Sequence, residues 1–318
     1  MRAALYRHSG DSSVLSVEQI QTPTPGPGEV RVRLHVAGVN PTDWKRRGTT
    51  EPDDFQIPGQ DGAGDIDAVG PGVDPARVGE RVWVWFAARP GRRYGSAAEF
   101  TVVPAGQAVR LPDDVSYDAG AGFGVPAMTA WHCLYADGPI AGRTVLVAAG
   151  AGAVGNAAVA LARRGGAQVI STVSGPEKGE LARAAGAHAV VNYRDDDAAD
   201  QTKAAAPDGV DRIVEVALGA NLELDLAVLA PLGTIATYAD DPVADLPVRQ
   251  LMVANAALRF VLIYGLSPGE LVAAAAGVGA AAADLPTLPV TWFPLERIAA
   301  AHDAVQQGTL GKVLVDLR

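Results

Sequence analysis

Residues Thr144 to Arg164 read TVLVAAGAGAVGNAAVALARR. The run Thr144 to Ala148 is short, apolar and rich in valine, bounded by Gly142 and Gly150, which predicts a buried parallel strand. A strict G-x-G-x-x-G follows at Gly150, Gly152 and Gly155. Val154, Ala158 and Leu161 then recur at helical spacing, and Arg163 and Arg164 sit where the C-terminal end of a helix favours cations. Strand, glycine turn and helix together predict a dinucleotide site. Gly150 permits the tight turn, Gly152 lets the backbone approach a pyrophosphate, and Gly155 lets helix and strand pack. The diphosphate would rest on free N–H groups at the helix start.

Downstream of this unit strands and helices alternate. Strands are predicted at Val169–Thr172, Ala189–Val191, Ile213–Val216, Thr234–Tyr238 and Leu258–Ile263, with helices at Glu177–Ala185 and Asn221–Leu229. Six strands with helices between them fit a doubly wound parallel sheet. Upstream, to about Asp118, short strands alternate with glycine and proline turns. Val30, Val32, Leu34 and Val36 alternate with Arg31, Arg33 and His35, the period of a half-buried strand, and the pattern predicts a small barrel or sandwich. A helix or helix pair interrupted by Pro126 is expected over Ala119–Leu134. The tail after Ser267, with helices at Gly269–Ala283 and Leu295–Gln307 and a strand at Lys312–Leu317, is too short for a domain and is expected to rejoin the barrel. The predicted domains are therefore 1–118 with 268–318, and 119–267.

Composition narrows the function. A net charge of −10, with no Lys/Arg cluster beyond local pairs, argues against a nucleic-acid partner. The single cysteine, Cys133, forms no intrachain disulfide. The first residues lack the apolar stretch of a signal peptide, and Leu271–Ala283 is short of the roughly 20 residues a membrane span needs. A soluble cytoplasmic protein with no membrane partner is expected.

The second strand decides which dinucleotide. NAD sites carry an acid about 20 residues past the glycines, but here the strand ends in Ser171-Thr-Val-Ser174. Ser174, Lys178 four residues on, and Tyr193 after the third strand suit a 2′-phosphate, so NADPH is the expected cofactor. In the alternative, Ser174 caps the following helix as part of a capping box with Glu177, and Lys178 is a solvated charge.

These residues resemble the medium-chain dehydrogenase/reductase superfamily, and within it the zinc-free quinone oxidoreductases related to zeta-crystallin. The resemblance runs nearly end to end. It is carried by residues 38–43 (GVNPTD), 58–64 (PGQDGAG), 79–82 (GERV), 98–100 (AEF), 111–112 (LP), 129–130 (TA), the glycine motif, 192–193 (NY) and 311–314 (GKVL). It implies a GroES-like barrel built from both chain ends and a Rossmann domain between them. Zinc-dependent members carry Cys where this chain has Asn40 and a His-Glu pair where it has Gln60-Asp61. Neutral amides are poor zinc ligands, so no metal is expected. Hydride donation from NADPH is then expected into an acceptor activated by conjugation, a quinone or an α,β-unsaturated carbonyl. The alternatives are an enoyl or alkenal reductase of specialised metabolism, and a non-catalytic NADPH-binding protein.

The resemblance also implies roles. Asn40 and Thr42 would face the nicotinamide and substrate, with Gln60 beside them offering hydrogen bonds to a carbonyl oxygen. Thr129 would line the nicotinamide pocket, while Asn221, the turn from Tyr238 to Asp241 and the backbone from Val261 to Ile263 would hold the ribose and carboxamide. Members of the family commonly carry Tyr near Lys45, and Trp44 is a candidate replacement wall. Phe86 and Tyr264 are candidate pocket residues, with core packing as the alternative for both. Trp83 and Trp85 read first as packing residues, Trp292 is a candidate pocket wall with core packing as the equal alternative, and Tyr94 is a minor candidate proton donor. Arg92 and Arg93 fit a solvated loop better than an anion site. An unpaired edge strand at Leu258–Ile263 predicts a homodimer.

Overall fold

The structure, a computed structural model, describes residues 1–89, 91–242 and 245–318. Pro90, in the loop that carries Arg92 and Arg93, lies outside them. The chain forms two compact units, Met1–Val125 with Pro289–Arg318, and Pro126–Leu288.

The first unit opens with β1 (Arg2–Leu5) and β2 (Ser16–Gln19), an antiparallel pair. The long strand β3 (Glu29–Val39) follows, then α1 (Pro41–Thr49), β4 (Asp61–Val69), β5 (Arg81–Val84), β6 (Phe100–Pro104), β7 (Ala108–Arg110) and the short α2 (Tyr117–Gly120). β3 forms because its alternate residues are branched or long apolar ones: Val30, Val32, Leu34 and Val36 are all at most 1% exposed. Each contributes roughly 1.5–3 kcal/mol by leaving water. Arg31, on the other face, reaches Asp67 of the neighbouring strand. Gly38 is required by proximity, since a Cβ there would lie 2.1 Å from the Ala121 carbonyl oxygen. Over Ala119–Leu134, where a helix or helix pair interrupted by Pro126 is expected, α2 gives way to a wide π-type turn at Phe123–Ala127 that contains Pro126, and a second helix starts at Met128. The missing proline N–H breaks the ordinary helical ladder there.

The second unit carries α3 (Met128–Tyr135), β8 (Thr144–Ala148), α4 (Ala153–Arg164), β9 (Gln168–Val173), α5 (Pro176–Ala184), β10 (Ala189–Asn192) and α6 (Ala198–Ala205). It continues through β11 (Val210–Glu215), α7 (Leu218–Val228), β12 (Leu229–Thr237), α8 (Val248–Ala254), β13 (Ala257–Phe260) and α9 (Pro268–Ala281). Its six strands are parallel, in the order β10-β9-β8-β11-β12-β13. In strand sequence that is 3-2-1-4-5-6, the doubly wound dinucleotide order. The sixth strand ends at Phe260 and not Ile263: Val261 N–H still reaches Thr237 O at 2.8 Å, but Ile263 begins a short 3-10 turn. Helix α9, expected with the barrel, packs on α3 instead. A Cβ on Gly277 would meet the Trp131 indole at 2.0 Å, and glycine is what lets the two helices approach.

The chain then returns to the first unit through β14 (Val290–Pro294), α10 (Ile298–Gln306) and β15 (Lys312–Asp316). β15 lies between β14 and β3, so the last strand joins a seven-stranded sheet begun near the N-terminus, in which β6 also pairs with β3. Val313 and Val315 complete a core with Val30, Val32 and Leu34.

The glycines of the β8–α4 turn separate packing from binding. A Cβ on Gly155 would lie 2.2 Å from the Ala149 carbonyl oxygen, whereas one on Gly152 meets nothing nearer than 3.4 Å. Gly155→Ala is expected to cost about 2 kcal/mol in urea unfolding, as overpacking does. Gly152→Ala, at an ordinary φ of −81°, is expected to stay within about 0.5 kcal/mol of the parent.

Candidate functional site

In the first unit the candidate residues gather where β3 ends. Asn40 precedes α1, Pro41 supplies the preset φ of a first helical residue, and the Asp43 carboxylate accepts the Asn40 backbone N–H at 2.8 Å. Asn40 is 2% exposed, and both ends of its amide are committed. Its Oδ1 accepts from Lys312 Nζ of β15 at 2.6 Å, and its Nδ2 donates to Asp61 Oδ2 at 2.7 Å. Lys312 also donates to Val39 O at 3.1 Å. Asp61 in turn accepts the Val125 N–H on both oxygens, at 2.9 and 3.0 Å. Gly124 must be glycine, because a Cβ would stand 2.0 Å from Asp61 Oδ1.

Burial pushes the Asp61 carboxyl up to about 6, against the pull of the Lys312 charge, and the Asp43 carboxyl up to about 7. Burial also lowers Lys312, while both acids hold it up. Asn40 thus bridges an ammonium and a carboxylate and orients the two strand ends. Its amide is used inward.

Gln60 differs. It is 3% exposed, and its Oε1 is buried with no hydrogen-bond partner. An orphaned buried acceptor is unusual, and rotation of the amide by 180° would put a donor in the same place. Thr42 stands on the first turn of α1, partly exposed. Trp44, also partly exposed, carries Lys45 over its ring at 6.0 Å and has its Nε1 buried without a partner. Phe86 is fully buried with φ 53°, against Trp85 and under Arg89. Trp83 and Trp85 are buried too, as packing residues should be. Arg92 donates to Gln107 Oε1, and Arg93 pairs with Asp54 at 2.9 Å. Tyr94 packs edge-on against Phe55.

In the second unit the glycine turn has the required form. A Cβ on Gly150 would meet Ser171 Oγ at 2.0 Å, and Asn156 Nδ2 locks the turn by donating to Gly150 O at 2.9 Å. The N–H groups of Ala153, Val154 and Gly155 have no intrahelical partner, being the first of α4. At the end of β9, Tyr193 N–H donates to Val173 O at 3.1 Å, which sets Tyr193 beside Ser174 in the sheet. Lys178 Nζ donates to Ser174 Oγ at 2.9 Å. Ser174 does not cap α5: the capping position belongs to Gly175, and Pro176 starts the helix. The Arg194 guanidinium lies 5.8 Å from the Tyr193 ring centre, a second cation at this corner.

Thr129 is the second residue of α3 and 5% exposed. Asn221, on the first turn of α7, donates Nδ2 to Glu215 Oε1 at 3.0 Å. Tyr238 N–H bonds Glu215 O at 3.1 Å, and burial keeps the Tyr238 hydroxyl protonated. Val261 and Ile263 are buried just past β13, and Tyr264 is partly exposed beside them in the chain. Asp241 Oδ2 accepts from Gly219 N at 2.7 Å and Ala220 N at 3.2 Å, closing the start of α7. Lys312, Asp43, Asp61, Glu215 and Asp225 are the buried ionisable groups that carry these networks. Lys312, Glu215 and Asp225 each stand between apolar or glycine neighbours in the sequence.

Residues 26–113 match the family described as alcohol dehydrogenase GroES-like domain, and residues 153–276 that described as zinc-binding dehydrogenase. The chain is 31% identical to a quinone oxidoreductase of Lama guanicoe over 329 residues, covering 100% of this chain and 98% of that one. It is also 31% identical to a 2-haloacrylate reductase of Burkholderia over 339 residues, covering 99% and 98%. Among solved structures, that of the quinone oxidoreductase of Thermus thermophilus, reported with its NADPH complex, aligns with a TM-score of 0.81 at 29% identity over 99% of this chain and 100% of that chain. The zinc in one family description does not fit the residues present. Asn40 and Gln60 are amides, Asp61 is engaged by Val125 and Asn40, and among the described residues no group of three metal-ligating side chains stands together.

Lys312 is expected to carry the first-unit network. Lys312→Met leaves Asp61 and Asn40 uncompensated and should cost about 3 kcal/mol in urea unfolding. A loss no larger than that of an exposed lysine would contradict this role.

Proposed function

Because the chain belongs to the zinc-free quinone oxidoreductase family of medium-chain dehydrogenases/reductases, we propose that it reduces quinones or α,β-unsaturated carbonyl compounds. It is an NADPH-dependent oxidoreductase. Bound NADPH supplies the reducing equivalent as hydride. The remaining work belongs to the chain. Ala153, Val154 and Gly155 would present their N–H groups to the diphosphate, with the helix dipole behind them. Ser174, Lys178 and Tyr193 would hold the 2′-phosphate, and Arg194 adds positive charge at that corner. Asn221, Tyr238, Val261 and Ile263 would hold the nicotinamide end, with Thr129 at the start of α3 lining its pocket. Gln60 would hydrogen-bond the acceptor's carbonyl oxygen, with Thr42 and Trp44 from α1 beside it.

The observation that carries this reading is the tip of β9. Lys178 is held on Ser174, at a strand end, Ser171 to Ser174, that itself carries no acid. The acceptor must be electrophilic before it arrives, because the amides of Asn40 and Gln60 hold no Lewis acid. Quinones and conjugated alkenes both meet that need. The likeness to a protein named 2-haloacrylate reductase supports the alkene as the second reading.

A second copy of the chain is proposed to pair along β13, which ends the sheet. Phe260 is 74% exposed there and Leu262 66%, with Met252 and Val253 of α8 exposed nearby in sequence. Patches of this kind mark interfaces. The lone buried Cys133, whose thiol burial pushes up to about 12, suits the reducing cytoplasm proposed as its location.

The decisive experiment follows NADPH oxidation against quinones and conjugated enones in parallel. Turnover of either class supports the proposal, and coenzyme binding without turnover of any acceptor would favour a binding protein. Lys178→Ala should raise KM for NADPH about tenfold, the worth of one charge-assisted hydrogen bond, and leave KM for NADH unchanged. Phe260→Asp with Leu262→Asp should convert a dimer to a monomer in light scattering. A parent protein of monomer mass removes the interface.

A further inference from the structure

Glu215 ends β11, and its side chain is fully buried. Its Oε1 accepts three donors: Val216 N at 2.6 Å, Ala217 N, and Asn221 Nδ2 at 3.0 Å. Its Oε2 is buried with no donor in reach, and so is Asp225 Oδ2. Asp225, 1% exposed, stands four residues after Asn221 on the same face of α7. The two carboxyl groups contact each other through their side chains. Ionised carboxylates only accept hydrogen bonds, so two of them facing in a dry site would repel and leave both oxygens orphaned. One proton between them satisfies both atoms.

We propose that Glu215 and Asp225 share a proton and act as a positioning pair, fixing the Asn221 amide with Nδ2 inward and Oδ1 left for the bound coenzyme. With Asp225 supplying the proton on the Oε2 side, Glu215 Oε1 is purely an acceptor. Only the NH2 end of Asn221 can face it. Oδ1, which has no partner among the described residues, is thereby presented as an acceptor in a defined direction. The inference rests on the reading of Asn221 as a coenzyme contact.

The surroundings make the pair a separable titration. Burial and the Glu215 charge hold Asp225 up to about 9, and burial raises Glu215 as well. Tyr238, at the end of β12, and Cys133 on α3 stay protonated through that range. Arg212 of β11 is turned to Asp137 and Cys133 O. Asp200 and Lys203 of α6 pair with each other on an exposed face. A carboxyl raised in the folded state gives stability that is complete below its unfolded value near 4 and lost as pH rises through about 9. Asp61 and Asp43, raised to about 6 and about 7, add to that slope mainly below pH 8.

Infrared spectroscopy of the coenzyme-free protein at pH 8 reads the shared proton directly. A protonated-carboxyl carbonyl band is expected, absent from both Asp225→Asn and Glu215→Gln. Its absence from the parent protein overturns the proposal, and that measurement needs no variant to fold. NADPH affinity, followed by fluorescence between pH 7.5 and 10, should weaken about fivefold in the parent, the worth of one hydrogen bond. It should stay flat in Asp225→Asn, whose amide donates to Glu215 at any pH. Parallel curves for the two proteins overturn the coupling. Asn221→Ala should lose about fivefold in affinity at pH 8. An intact carboxyl band with unchanged affinity in that variant refutes the positioning role. Failure of the parent to bind NADPH at all refutes the functional reading instead.

Discussion

A single buried ammonium holds the first unit's site together. Lys312 comes from the last strand of the chain, and it ends on the carbonyl of Val39 and the amide of Asn40. Through that amide its charge meets Asp61, which fixes the backbone at Val125. Buried charges persist only when paired and hydrogen-bonded. Here the pairing runs through a neutral amide, so each member restricts the next. Gln60, adjacent to Asp61 in the chain, inherits a fixed backbone and keeps an unused side-chain oxygen.

The two units divide the chemistry by the kind of group they offer. The second unit presents backbone N–H groups at a helix start, then a hydroxyl and an ammonium past the second strand and a phenol past the third. These are donors suited to phosphates. The first unit presents an amide beside an aromatic ring, which suits a neutral, planar, polarised acceptor. Neither donor set suits a tightly held cation.

Much of this was legible before the fold was known. The alternation of Val30 to Val36 gave β3, and the glycine spacing gave β8, its turn and α4, because both patterns follow from side chains meeting backbone at fixed periods. Boundaries drifted where a local rule competed with a tertiary one. Ser174 looks like a cap, but Pro176 begins the helix and Gly175 takes the capping place. The sixth strand looks apolar to Ile263, but pairing as a strand stops at Phe260. Helix α9 joined the second unit because Gly277 admits Trp131, a contact that no periodicity announces. Asn40 illustrates the deeper limit. Its position was readable from sequence, but the direction of its amide depends on Lys312, 272 residues away.

That separation has a consequence for biogenesis. β3 cannot acquire its β15 partner until synthesis has passed Lys312, 272 residues after Asn40. At bacterial or eukaryotic synthesis rates, about 5–20 residues per second, the delay is roughly half a minute. Throughout it, the Asp61 carboxylate lacks its counter-charge and the Val36–Val39 end of β3 is an open template for foreign strands. The second unit, contiguous in sequence, can close first and leave the nascent N-terminal leg waiting. The vulnerable moment of this protein therefore falls in translation, and chaperone protection would matter most before β15 emerges.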